Sequence, residues 1–167
     1  MQRYDCLQTI AQESGDALAV CTGWAAREWW AVRPSEGNLK TRTLGLVSSI
    51  AAGLALALPH RKLIAIDGDG AFLMNLCGLP TIALQKPGNL IHLLFDNGVY
   101  EASGGTTTAS HIADAVTLAR GAGYRHASWV KSSEEFRSAF IEARDRNELT
   151  LIAVKVAPGQ PDRKSVV

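Results

Sequence analysis

Short apolar runs alternate with longer stretches of helical pattern along nearly the whole chain. Tyr4 to Glu13 reads as a helix, Leu18 to Thr22 as a strand ending at Gly23, and Trp24 to Val32 as a short helix closed by Pro34. Ser35 to Thr43 reads as a polar loop. Gly45 to Leu58 predicts a helix that is apolar on nearly every side, and so expected to be buried. Lys62 to Ile66 is a strand. Ala71 to Gln85 predicts a second apolar helix, kinked or broken near Gly78 and Pro80. Leu90 to Phe95 is a strand, and Ile112 to Ala122 a helix after a glycine-rich loop. His126 to Val130 is a strand. Ser132 opens a helix running to about Arg146, with Glu135 placed for a capping box. Leu149 to Val156 is the last strand.

Strands that alternate with helices form βαβ units, and near-continuous apolar strands belong to a sheet covered on both faces. The fold class expected is therefore α/β, a three-layer fold with a central parallel sheet between two layers of helices. Residues 1–157 make one domain, and 158–167 read as a polar tail. In such sheets ligands gather at the carboxyl ends of the strands. The positions to inspect follow Thr22, Ile66, Phe95 and Val130.

Composition narrows the field only a little. The formal net charge of +1 and the lack of a basic stripe give no reason to expect a polyanion partner. Cys6, Cys21 and Cys77 are widely spaced and odd in number, which suits buried thiols better than disulfides, zinc or an iron–sulfur cluster. The N-terminus lacks a signal-peptide core, and the most apolar stretch, Leu44 to Leu58, is too short to span a bilayer. A cytoplasmic location is expected.

Two strand ends carry unusual chemistry. Asp67-Gly68-Asp69-Gly70-Ala71 follows one, and Asp96-Asn97-Gly98-Val99-Tyr100 ends the other. Asp69 and Asn97 offer a carboxylate and an amide oxygen, the hard donors that Mg²⁺ takes when it is shared with phosphate. Gly68 and Gly70 allow a tight turn and close approach of a ligand, and the helix opening at Ala71 presents free amides to a diphosphate. Either motif alone is adequately explained as a turn. Both together, at the ends of two apolar strands, are not.

The glycine–aspartate–glycine, followed after 26 residues by Asn97, resembles the cofactor signature of thiamine-diphosphate enzymes. The second half of that signature is usually Asn-Asn, and Asp96 departs from it. The run from Arg42 through Gly105, above all DNGVYEASGG, is similar to the cofactor-binding portion of phosphonopyruvate and sulfopyruvate decarboxylases. The resemblance covers roughly Tyr4 to Val156. It implies a subunit of a thiamine-diphosphate-dependent carboxy-lyase that cleaves a 3-substituted pyruvate to an aldehyde and CO₂. Asp69, Asn97 and the Val99 carbonyl would hold Mg²⁺. Gly68, Gly70, Ala71, Thr22, Gly23 and Tyr100 would meet the cofactor, with the Gly70 and Ala71 amides on its diphosphate. Leu44 would sit beneath the thiazolium and impose the bent conformation, and the Arg42 carbonyl would bond the 4′-amino group. Arg42 and Leu44 stand where related chains often have Gly and Met. For Thr22, a plain N-cap role is an equal alternative.

The family's catalytic glutamate comes from a separate pyrimidine-binding domain, and no stretch of this chain is left over for it. The expectation is a hetero-oligomer in which a partner chain supplies that glutamate. Trp24, Trp29 and Trp30 serve equally as interface anchors or as core. Glu101, near the active-site edge, reads as a solvated loop carboxylate ahead of a substrate contact or proton relay; Ser103 to Thr107 reads as a lid or a cradle for the substrate anion, with Lys40 and Arg42 as further positive charge or simply solvated. His92 reads as a core histidine, and His111 is the histidine to test as an acid–base group. The competing readings are a carboligase subunit of the acetolactate synthase kind, a non-catalytic subunit that keeps the fold, and a nucleotide-binding Rossmann domain. The last lacks G-x-G-x-x-G after its first strand.

Overall fold

The computed structural model describes residues 1–159. Strands β1 (Leu18–Cys21), β2 (Asn38–Lys40), β3 (Leu63–Gly68), β4 (Leu90–Asp96), β7 (His126–Val130) and β8 (Thr150–Lys155) form one sheet in the order β2-β1-β3-β4-β8-β7, parallel throughout. Two-residue strands β5 (Val99–Tyr100) and β6 (Thr106–Thr107) make a separate antiparallel hairpin.

Period-two alternation along the strands sorts side chains onto two cores. Ile64 and Ile66 of β3, with Ile91, Leu93 and Phe95 of β4, meet α1 (Arg3–Glu13), α2 (Gly23–Val32) and α7 (Ser133–Arg146). Leu63 and Ala65, with Leu90 and Leu94, meet α3 (Val47–Ala57), α5 (Gly78–Gln85) and α6 (Ala115–Gly121) on the other face. Every residue of β4 is buried, as expected for a central strand with helices on both sides.

The α/β three-layer expectation holds, and the departures have physical causes. The loop predicted over 35–43 contains edge strand β2, in which only Asn38 is buried while Leu39 and Lys40 face solvent. The apolar segment 71–85 divides into α4 (Asp69–Leu73) and α5, the break falling before Gly78. Helix α3 is not buried all round. Val47, Ala51 and Ala55 face the sheet, while Leu56 and Leu58 are exposed, because each sheet face carries a single helical layer. Helix α6 starts at Ala115, where Asp114 Oδ1 accepts the Thr117 N–H at 2.7 Å, and a short 3₁₀ turn (Ala109–His111) precedes it. The tail read at 158–167 lies outside the described residues from 160 onward.

From β1 the chain passes through α2 to β2 on one side, and from β3 through α4 and α5 to β4 on the other. The carboxyl ends of β1 and β3 therefore flank a topological switch point, where loops leave in opposite directions and a crevice opens.

Candidate functional site

A cleft occupies that switch point. It is lined by Thr22 to Ala25 after β1, by Asp67 to Ala71 after β3, and by Phe95, Asn97 and Val99 to Ser103 after β4, with Arg3 and Leu44 at its margins. Strand register brings the loops after β3 and β4 together here, since Gly68 lies opposite Phe95.

Two helices open at this cleft without a side-chain cap. Thr22 stands at the N-cap position of α2, yet its hydroxyl donates to the Thr41 carbonyl at 3.2 Å. Gly68 precedes α4 and has no side chain to offer. Their first amides thus keep their donors for a ligand, and the positive ends of both helices favour an anion. Gly23 has φ +60°, a conformation costly for other residues. At Gly70 a Cβ would lie 2.2 Å from the Tyr100 ring, so Tyr100 closes directly over this backbone.

Asp69 is 3% exposed. Its Oδ2 accepts the Thr108 hydroxyl, and its Oδ1 has only a long approach from the Asn97 N–H, at 3.4 Å. Asn97 Oδ1 accepts the Val99 N–H at 3.0 Å, folding the loop so that the amide oxygen and the Val99 peptide lie on one turn. Asp96 is differently engaged: its carboxylate accepts the Gly98 N–H at 3.1 Å and the Ser110 hydroxyl at 2.9 Å, and it pairs with Lys155. Among the described residues no three His, Cys, Asp or Glu side chains gather as a metal cluster. A site of one carboxylate, one amide and one peptide carbonyl, completed by diphosphate, has a different make-up, and these donors fit it.

Leu44 lines the cleft and is 38% exposed. Arg42 does not line it, and its backbone avoids the left-handed region; Gly45 takes the positive φ of that loop instead. The sequence left Glu101 as a solvated carboxylate, and this is corrected. Arg3 bonds Glu28 through Nε (2.8 Å) and a terminal nitrogen (2.7 Å), and Glu101 through the other (2.9 Å). Burial alone would lower the Arg3 pKa, but Glu28 and Glu101 outweigh it and hold the guanidinium above its ordinary value. Trp29 is core, its indole N–H donating to Asn38 at 2.7 Å, whereas Trp24 is half-buried at the cleft. Of the cysteines read as buried, Cys77 is exposed, because it lies on the turn between α4 and α5. His111 donates Nδ1–H to the Thr108 carbonyl at 2.7 Å and does not line the cleft.

Sequence reasoning missed Arg3, Glu28 and Thr108, whose partners are 25 to 98 residues away. It also missed a buried pair behind the cleft, with His92 Nε2 3.4 Å from Asp67 Oδ2. Among the described residues His92 Nδ1 and the Tyr124 hydroxyl have no hydrogen-bond partner, and burial, then the Asp67 charge, push the Tyr124 pKa up. An acid and an imidazole on one face of neighbouring apolar strands was the available signal.

A doubly wound parallel sheet with two uncapped helix starts and a buried carboxylate at its switch point defines a domain that binds a diphosphate cofactor. Residues 19–154 match the family model of the thiamine pyrophosphate enzyme C-terminal TPP binding domain, and the chain belongs to that family. Its cofactor is thiamine diphosphate. The chain is 36% identical to the sulfopyruvate decarboxylase subunit beta of Methanothermobacter thermautotrophicus, over 97% of this chain and 85% of that one. It is 33% identical to the phosphonopyruvate decarboxylase of Streptomyces hygroscopicus, covering 94% of this chain but 40% of that protein. Among solved structures, the 4-hydroxybenzoylformate decarboxylase of Rhodococcus jostii superposes with a TM-score of 0.83 at 23% identity, over 96% of this chain and 33% of that one, which speaks for the fold.

Proposed function

We propose that this chain is the diphosphate- and metal-holding subunit of a thiamine-diphosphate-dependent decarboxylase that cleaves 3-sulfopyruvate or 3-phosphonopyruvate to an aldehyde and CO₂. The observation that carries this reading is the meeting of Asp69 and Asn97 beside the uncapped starts of α2 and α4. The subunit reading is supported by the match to a beta subunit over 85% of that chain's length.

Thiamine diphosphate, when bound, supplies the nucleophilic carbon and the electron sink for carbon–carbon cleavage. The chain's own residues hold it. Asp69, Asn97 and the Val99 carbonyl take Mg²⁺, which neutralises the diphosphate beside a buried carboxylate. The Gly70 and Ala71 amides, with Gly68 opening the turn and Thr22 and Gly23 at the start of α2, bond the diphosphate. Leu44 would support the thiazolium and Tyr100 covers Gly70, whereas Arg42, which does not line the cleft, is left without a cofactor contact. Positioning of this kind converts cofactor binding into reactive geometry.

The activating glutamate then comes from a partner chain with the pyrimidine-binding domain. Leu44 at the cleft margin, with the exposed Leu46 (40%) beside it in sequence and the exposed Met74 (55%) packed near Gly45, offers apolar surface for such an interface. The test is CO₂ release from each 3-substituted pyruvate by the reconstituted pair, with pyruvate and 2-oxobutanoate as controls. Turnover of one anionic substrate well above the controls supports the reading. Carboligation without aldehyde release, or no turnover of any 2-oxoacid, would replace it.

A further inference from the structure

We propose that Thr108 is a positioning residue that makes Asp69 a one-oxygen ligand and so sets the site's preference for Mg²⁺ over Ca²⁺; this rests on the metal site proposed above. Asp69 has two carboxylate oxygens in a buried setting. The Thr108 hydroxyl occupies Oδ2, while Oδ1 carries only the 3.4 Å approach of the Asn97 N–H and keeps its lone pairs for a cation. Ca²⁺ accepts a carboxylate through both oxygens at longer distances, whereas Mg²⁺ demands an octahedral shell of single-oxygen ligands. A donor fixed on one oxygen therefore penalises the larger ion.

Thr108 is well held for this task. It is 2% exposed, and its N–H donates to the Gly98 carbonyl at 2.9 Å. Its hydroxyl lies 3.0 Å from that of Ser110, which donates to Asp96 Oδ1 at 2.9 Å. Asp96 also accepts the Gly98 N–H at 3.1 Å. One short turn thus fixes the carboxylate after β3 and the loop after β4 in the same frame. Partners of this kind orient metal ligands from outside the coordination shell.

The test is calorimetric titration of the full chain with thiamine diphosphate at fixed Mg²⁺ and, separately, fixed Ca²⁺. Thr108→Val removes the donor and keeps the shape. Its affinity with Mg²⁺ should fall about 10- to 100-fold, its affinity with Ca²⁺ should fall less, and the Ca²⁺-to-Mg²⁺ Kd ratio should drop. Thr108→Ser should keep the wild-type ratio. If the valine variant does not fold, Thr108→Ala removes the same donor without bulk and must move the ratio in the same direction. A wild-type ratio in a folded Val or Ala variant would overturn the role of Thr108 and leave the metal site standing. Wild-type binding that is indifferent to any divalent ion would overturn the metal site and this inference with it.

Discussion

Asp96 at the end of β4 and Asp69 after β3 look alike in sequence and differ in what surrounds them. Asp96 is satisfied by Gly98, Ser110 and Lys155, which leaves it no free oxygen to offer a cation, in keeping with its place outside the expected ligand set. Asp69 keeps one oxygen nearly free. The candidate ligands were legible because they lie in contiguous motifs; Arg3 was not, because an arginine in an exposed-looking N-terminal helix gives no sign of partners on α2 and the β4 loop. Replacing Arg3 by Met leaves Glu28 buried and unpaired, and should cost about 3–5 kcal/mol in urea unfolding; a loss below 1 kcal/mol would mean the pair is idle. Gly70→Ala drives a methyl into the Tyr100 ring. Overpacking of about 1–3 kcal/mol is expected, together with weakened cofactor binding, read by thermal melts and calorimetry. Burial pushes the Cys6 thiol up to about 11 and Cys21 higher still, while Cys77 is exposed. Iodoacetamide at neutral pH should therefore label Cys77 alone until the chain unfolds, as mass spectrometry would show.

At the scale of elements, sequence pattern was most reliable where a strand is buried on both faces. β3, β4 and β8 read as apolar runs and proved so. Edge strand β2 and the β5–β6 hairpin were missed because little of either is buried, so neither leaves a hydrophobic trace. The start of α6 was misplaced because Ile112 is apolar yet 80% exposed; the cap at Asp114, not the apolar residue, decides where the helix begins. Bonds from Thr117 hold the Asp114 carboxyl below its ordinary range. A depressed folded-state pKa gives stability that is present above the unfolded value and lost as pH falls through the folded one. Asp114→Ala should thus cost about 1 kcal/mol at pH 7, and the difference from wild type should vanish in strong acid. A difference that persists there would show that the charge is irrelevant to the cap.

The whole molecule is a sheet whose switch point gathers three loops into one cleft, bordered by apolar side chains left exposed. Leu46 and Met74 are exposed rather than part of the core, so Met74→Lys should leave the thermal midpoint unchanged and, if the proposed partner docks here, weaken that association at least about tenfold. Unchanged association in sedimentation would move the interface elsewhere. The central claim is that this chain binds thiamine diphosphate through a metal held by Asp69 and Asn97. It is tested most directly by calorimetric titration of the cofactor with and without Mg²⁺, on the wild type and on folded Asp69→Ala and Asn97→Ala variants. The account predicts Mg²⁺-dependent binding by the wild type and none by either variant. Binding that survives in both variants, or that ignores Mg²⁺ in the wild type, would contradict it.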